Sequence, residues 1–239
     1  RLDSVCAGIA PANKMDRGAA VMTAILNWVG APVRVFEDGT WRERVGWSDC
    51  GVFDVPKLGR RRFALTEVPD LDLIPARYAP RDRALFMAGL ELPLMQRGME
   101  FVAALRRSGV LRDLVRLAEP LRHAGNLLLP FGSDRGGTIV EASGRDPQDR
   151  PIFARWSMFA PNGQGPYTPT FAALLMAQRF IADAPPPPGA RPCVGMLTLD
   201  DFEPVFSHHG FSTQVDVTPL QSPFETALGA AFETLPSAV

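Results

Sequence analysis

Arg135 lies in the run Phe131-Gly132-Ser133-Asp134-Arg135-Gly136-Gly137. Glycines there let the backbone approach a ligand closely, and a guanidinium can grip a carboxylate or phosphate through two parallel hydrogen bonds. Asp134 and Arg135 can equally tie the loop to its own backbone. A second run, Asn162-Gly163-Gln164-Gly165-Pro166-Tyr167-Thr168, leads into a predicted helix. The unpaired N–H groups of a helix start favour an anion. Tyr167, one of two tyrosines, either meets a ligand there or packs its ring and donates one hydrogen bond. Glu91 stands in the otherwise apolar stretch Leu85–Leu94, where a carboxylate needs a partner unless it opens the following helix. Arg135, Tyr167 and Thr168, with Glu91 behind them, are the ligand-facing candidates.

Other chemistries lack their residues. No Gly-x-Gly-x-x-Gly stands between a strand and a helix, and Gly163-x-Gly165 is followed by Pro166 rather than completing one. There is no Gly-x-x-x-x-Gly-Lys and no Gly-x-Ser-x-Gly nucleophile elbow. Cys6, Cys50 and Cys193 form no Cys-x-x-Cys, and two of the three histidines are the adjacent His208 and His209, so no metal site is expected. A hydrolase would need the Cys50 or Cys193 sulfur within hydrogen-bond reach of His123 or His208.

The elements that must carry these loops follow from periodicity and punctuation. Leu2–Ile9 reads as a strand. Asp16 is the expected cap of a well-buried helix over Arg17–Val29. Asp38-Gly39 between Val33–Phe36 and Trp41–Val45 predicts a hairpin, because Asp-Gly tolerates the positive φ of a type I′ turn. Arg61–Val68 and Arg83–Gly89 are further strands on either side of a helical turn, Asp70–Ala76. Leu94, Met95, Met99, Val102 and Leu105 share one helical face that stops at Gly109. Leu111, Leu114, Val115, Ala118 and Leu121 continue the period until Pro120 ends or kinks it.

A second hairpin joins Thr138–Ser143 to Ile152–Phe159 across a polar loop. Thr168 is the expected cap of a helix through Ile181, with Pro169 in its first position. Pro185–Pro188 reads as a stiff surface connection. Thr198 with Asp201 resembles a capping box for a helix over Leu199–His209, and Ser222 with Glu225 forms another for a last helix. Phe211, Thr213, Val215 and Val217 alternate like a strand. Hairpins with grouped helices predict an α+β fold, a largely antiparallel or mixed sheet covered by helices, in a single domain over 1–239.

The 239 residues are 46% hydrophobic and 21% charged, with 25 basic against 26 acidic side chains. That composition is not that of a disordered chain, and a net charge of −1 offers no general attraction to nucleic acid. The clusters Arg60–Arg62 and Arg106–Arg107 read as solvated strand or helix ends. The apolar stretch from Gly18 to Val33 contains Asn27, Gly30 and Pro32 and is shorter than the ~20 residues of a membrane span. Three cysteines without a framework suit a reducing, cytoplasmic setting.

Five motifs, taken in order, carry a resemblance. They are Asp49-Cys50-Gly51-Val52-Phe53-Asp54-Val55-Pro56, Gly89-Leu90-Glu91-Leu92-Pro93-Leu94, Gly132-Ser133-Asp134-Arg135-Gly136-Gly137, Gly165-Pro166-Tyr167 and Arg191-Pro192-Cys193-Val194-Gly195. Over about Ala10 to Phe202 the chain resembles the saccharopine dehydrogenase-like family, in the part that follows its N-terminal dinucleotide-binding domain. The resemblance implies the α+β substrate-binding and dimerisation domain of a two-domain NAD(P)-dependent oxidoreductase. It further implies that this chain binds no cofactor, that NAD or NADP belongs to a domain upstream of Arg1, and that this part alone is inactive. A homodimer and a small-molecule substrate are the expected partners. Neither a saccharopine substrate nor a catalytic residue is carried over. The alternative is a non-enzymatic self-association domain with no substrate site.

Overall fold

The computed structural model of the protein describes residues 1–15 and 18–220. The chain enters as β1 (Leu2–Ala10) and passes to α1 (Ala19–Trp28). Then come the hairpin strands β2 (Pro32–Glu37) and β3 (Thr40–Val45). Asp38 and Gly39 between them take φ of 50° and 71°, the left-handed pair that a type I′ turn requires. A second hairpin, β4 (Gly51–Val55) and β5 (Gly59–Leu65), leads to α2 (Asp70–Tyr78) and β6 (Arg83–Ala88). Two helices follow, α3 (Pro93–Arg107) and α4 (Ala118–Asn126). The long hairpin of β7 (Gly136–Arg145) and β8 (Pro151–Ala160) comes next. The described chain ends with α5 (Thr168–Ile181), α6 (Leu199–His208) and β9 (Ser212–Pro219).

The fold is α+β. Nine strands form one open mixed sheet whose main path runs β3-β2-β6-β1-β7-β8-β9, with β5 joining at β6 and β4 hairpinned to β5. Among the described residues only β1 and β6 are parallel, and every other pairing is antiparallel. Alternation along β5 splits its side chains between two cores. Ala64 packs with Leu26, Val29, Trp47, Ala103 and Leu114 on the helical side, while Phe63 packs with Ala10, Val55 and Met87 on the other. Among the described residues no helix is long and apolar enough to cross a membrane.

Several expectations need correction. The first helix begins at Ala19, and Leu26 is its one fully buried side chain rather than one of many. Asp16 lies outside the described residues, as do Ser222 and Glu225 with the last predicted helix. The strand β4 lies within the Asp49–Pro56 motif and outside the predicted elements, because five residues with a glycine at the start give little alternation. The predicted strand over Arg61–Val68 lies two to three residues earlier, over Gly59–Leu65.

Leu111–Leu121 is not one helix. The Asp113 carboxylate accepts the Val115 N–H at 3.1 Å, and this local turn breaks the ladder before a single 3₁₀ turn, Val115–Leu117. Pro120 then sits in the first turn of α4, where its missing N–H costs nothing, so it helps start a helix instead of ending one. Thr168 is no cap: its backbone is already helical, and Tyr167 holds the capping position after the 3₁₀ turn Gly165–Tyr167. The Thr198–Asp201 box does form, with Asp201 accepting from the Thr198 backbone at 2.7 Å and from its hydroxyl at 2.9 Å.

Candidate functional site

Because β1 and β6 are parallel, their C-terminal ends open on the same side of the sheet. There β7 begins and β8 ends, with Ala10 opposite Gly137 and Gly136 opposite Ala160. Four connections therefore meet: residues 11–15, 89–92, 132–135 and 161–167. The crevice beyond the carboxyl ends of parallel strands is where open sheets that contain them take ligands.

Glu91 binds three of these connections together. One carboxylate oxygen accepts the backbone N–H groups of Asn13 at 2.8 Å and Ser133 at 2.9 Å, and the other accepts the Ser133 hydroxyl at 2.5 Å. The Ser133 carbonyl in turn accepts the Lys14 N–H at 2.9 Å. Asn13 is buried, donates its side-chain amide to the Leu128 carbonyl at 3.0 Å, and packs so closely on Gly132 that a Cβ there would come within 2.4 Å of its own. The fourth connection is attached where the Gly163 N–H reaches the Asp134 carbonyl at 2.7 Å. The two glycine-bearing loops are thus joined.

Electrostatics at this node is uneven. Arg61 on β5 points a guanidinium nitrogen at Glu91, 3.5 Å away, with side-chain exposures of only 8% and 13% for the two residues. Burial of the Glu91 carboxyl raises its pKa, but the hydrogen bonds from Ser133 and Asn13 and the Arg61 charge outweigh that and hold it below the usual carboxylate range. Arg61 is held below its ordinary value by burial, an effect that Glu91 opposes and the neighbouring positive charge of Arg135 reinforces. Its Nη1 is buried with no hydrogen-bond partner. A second cation beside a buried guanidinium with a free donor is an arrangement that an anion relieves.

Arg135 is exposed, and its own N–H turns back to the Ser133 hydroxyl at 3.2 Å. Tyr167 is 57% exposed, and its carbonyl accepts the Thr170 hydroxyl at 2.6 Å. The Thr168 hydroxyl is buried without a partner. Arg135, Tyr167 and Thr168 stand on the joined loops, with Glu91 beneath them as the tie. Reading Arg60–Arg62 as a solvated strand end missed Arg61, which is buried. The signal was available, since Arg61 shares its strand face with the core residue Phe63. Asn13 and Ser133 gave no such signal, because their roles arise from contacts between distant loops.

The connection after β1 does not fit a dinucleotide pyrophosphate. Its one glycine is Gly18, so it lacks the run of glycines that lets a backbone close on a pyrophosphate, and Asn13 within it packs against Gly132 instead. Cys50 does not meet a histidine as a hydrolase would require. Its thiol donates to Glu100 at 3.2 Å, and burial, with Glu100 beside it, pushes its pKa up to about 11. Among the described residues no three His, Cys, Asp or Glu side chains gather as a metal cluster.

On the helical side of the node lies an apolar cavity of about 320 Å³ between α1, α3 and α4, its wall including Met15, Met22, Leu90, Met95, Met99 and Leu121. Leu90 faces it while the adjacent Glu91 faces the loops, so the two features share one short connection. Compared with known proteins, the chain matches no family model and no curated protein.

Proposed function

We propose that this chain is the substrate-binding and self-associating part of a saccharopine dehydrogenase-like, NAD(P)-dependent oxidoreductase, with the nicotinamide held outside these residues. The observation that carries this reading is the meeting of four loops at the ends of the parallel pair, with Arg61 and Arg135 adjacent over Glu91. Three of the five resembling motifs, at Gly89–Leu94, Gly132–Gly137 and Gly165–Tyr167, fall on those loops.

In this reading Arg61 and Arg135 hold an anionic group of a small-molecule substrate, and Glu91 is a positioning residue that fixes the loops. Tyr167 and Thr168 line the approach. Orientation is the task of such a part, since hydride transfer requires two carbons held in contact with water kept out. The enzyme is a cytoplasmic homodimer. Fluorescence titration with NADH and NADPH tests the reading, using this chain alone and the same residues within their native polypeptide. Binding is expected only in the second case. Cofactor binding or turnover by the chain alone would overturn the assignment, and so would a native polypeptide that binds neither nucleotide.

One observation favours a second reading, a self-association module without a substrate site. Among the described residues β9 is an edge strand, exposing Val215 and Val217 by 57% and 60%, of the kind that pairs with another copy. Loss of self-association with full retention of anion binding at Arg61 and Arg135 would leave only the first reading standing.

A further inference from the structure

The motif Arg191-Pro192-Cys193-Val194-Gly195 takes no part in the four-loop node and runs past α2 and the C-terminal end of α5. It closes one side of a groove of about 780 Å³ whose wall carries Arg77, Arg179 and Arg191 and, among the described residues, no acidic side chain. Each of the three guanidinium heads reaches the carbonyl of a residue that itself lines the groove. Arg77 Nη2 donates to the Gly195 carbonyl at 3.4 Å and Arg179 Nη1 to the Met196 carbonyl at 2.8 Å. Arg191 Nη2 donates to the Pro187 and Pro188 carbonyls at 3.1 and 2.7 Å. Gly195 takes φ of 70°, and a Cβ on it would collide with the Arg77 guanidinium, so glycine lets that fork lie against the loop.

Neutral carbonyls, and the Tyr78 ring 5.6 Å from Arg77, orient these cations without balancing them. Asp201 pairs with Arg179 at 3.2 Å, but among the described residues Arg77 and Arg191 have no carboxylate at ion-pair distance. A guanidinium carries five N–H donors, and each of these two spends only Nη2 on the chain. Two uncompensated like charges fixed along one groove focus its field on an anion. The rest of the wall is largely apolar, with Leu73, Pro185, Pro186, Pro192 and Val194. The volume is that of a small-molecule site and leaves room for a body beside the anionic group.

We propose that this groove binds an organic phosphate, whose anionic oxygens accept from Arg77 and Arg191 and whose apolar body lies on the prolines. Guanidinium forks match phosphate oxygens in pairs, and a dianion balances both charges. The groove shares no residue with the Arg61–Arg135 node and does not rest on the oxidoreductase reading. The test titrates naphthyl phosphate, naphthol and inorganic phosphate into the full chain by calorimetry, at pH ~8 where the ester carries its second charge. The chain carries Arg135→Gln, which takes the other anion site out of the readout.

Naphthyl phosphate is expected to bind saturably, one per chain, with naphthol and inorganic phosphate at least about tenfold weaker. Arg77→Gln and Arg191→Gln are each expected to weaken it by about tenfold. Both arginines also pin the loop, so a second pair of variants leaves them in place. Ala76 is exposed on α2 and lines the groove. Ala76→Glu supplies an internal carboxylate and is expected to abolish binding, while Ala76→Gln, of the same length without the charge, keeps it. No saturable binding, or an affinity matched by naphthol or inorganic phosphate, would overturn the proposal. So would unchanged affinity in both arginine variants, undiminished binding in Ala76→Glu, or an equal loss in Ala76→Gln.

Discussion

Glu91 spends both carboxylate oxygens on its own chain, and among the described residues Arg61 is the charge set against it at close range. Glu91→Gln keeps the shape but surrenders the charge, leaving a buried guanidinium unpaired. It is expected to cost about 2–4 kcal/mol in urea unfolding at neutral pH. A carboxylate held below its ordinary value stabilises the fold above that value, and the contribution disappears as pH falls through the lower, folded one. Wild type should therefore lose stability on acidification below pH ~4.5 more steeply than Glu91→Gln, as followed by unfolding midpoints across pH. Arg135 behaves differently. Removing a like charge from beside Arg61 leaves stability within about 0.5 kcal/mol in Arg135→Gln. In wild type, phosphate or a dicarboxylate is expected to raise the Tm by binding the folded state, and Arg135→Gln should abolish that rise.

At the scale of elements, the features with local causes were legible. The Asp38-Gly39 turn fixed its hairpin, and Thr198 with Asp201 marked the start of α6 three residues apart. Thr198→Ala is expected to cost about 1 kcal/mol in thermal or urea unfolding, because the Asp201 N–H loses its hydroxyl acceptor and α6 frays. What escaped was set by distant contacts. Pro120 looks like a stop until Asp113 has already broken the preceding turn, and Thr168 looks like a cap until the 3₁₀ turn before it takes that place. The candidate site divides in the same way. Glycine-rich composition marked both loops, but nothing local announces that Gly163 hydrogen-bonds to Asp134 or that Glu91 gathers the backbone of Asn13 and Ser133.

For the molecule as a whole, the open edges of the sheet matter most. The edge strand β3 carries Arg42, Glu43 and Arg44, charges of the kind that discourage strand addition. At the opposite edge among the described residues, β9 carries Val215 and Val217 with only Asp216 between them. A two-fold dimer through β9 is the expected assembly, visible by sedimentation velocity at micromolar concentration. Val217→Lys should shift it to monomer with little change in unfolding free energy, since the side chain is exposed.

The first strand of the chain lies in the middle of the sheet, and its two neighbours are made much later. During synthesis Leu2–Ala10 emerges long before Arg83–Ala88 or Gly136–Arg145, so it must wait on the ribosome without a hydrogen-bonding mate on either side. The first side can close once the β6 segment has left the exit tunnel, and the second only when β7 follows. A nascent chain stalled before β6 emerges should be sensitive to protease along Leu2–Ala10, and should be a client for chaperones that shelter bare backbone.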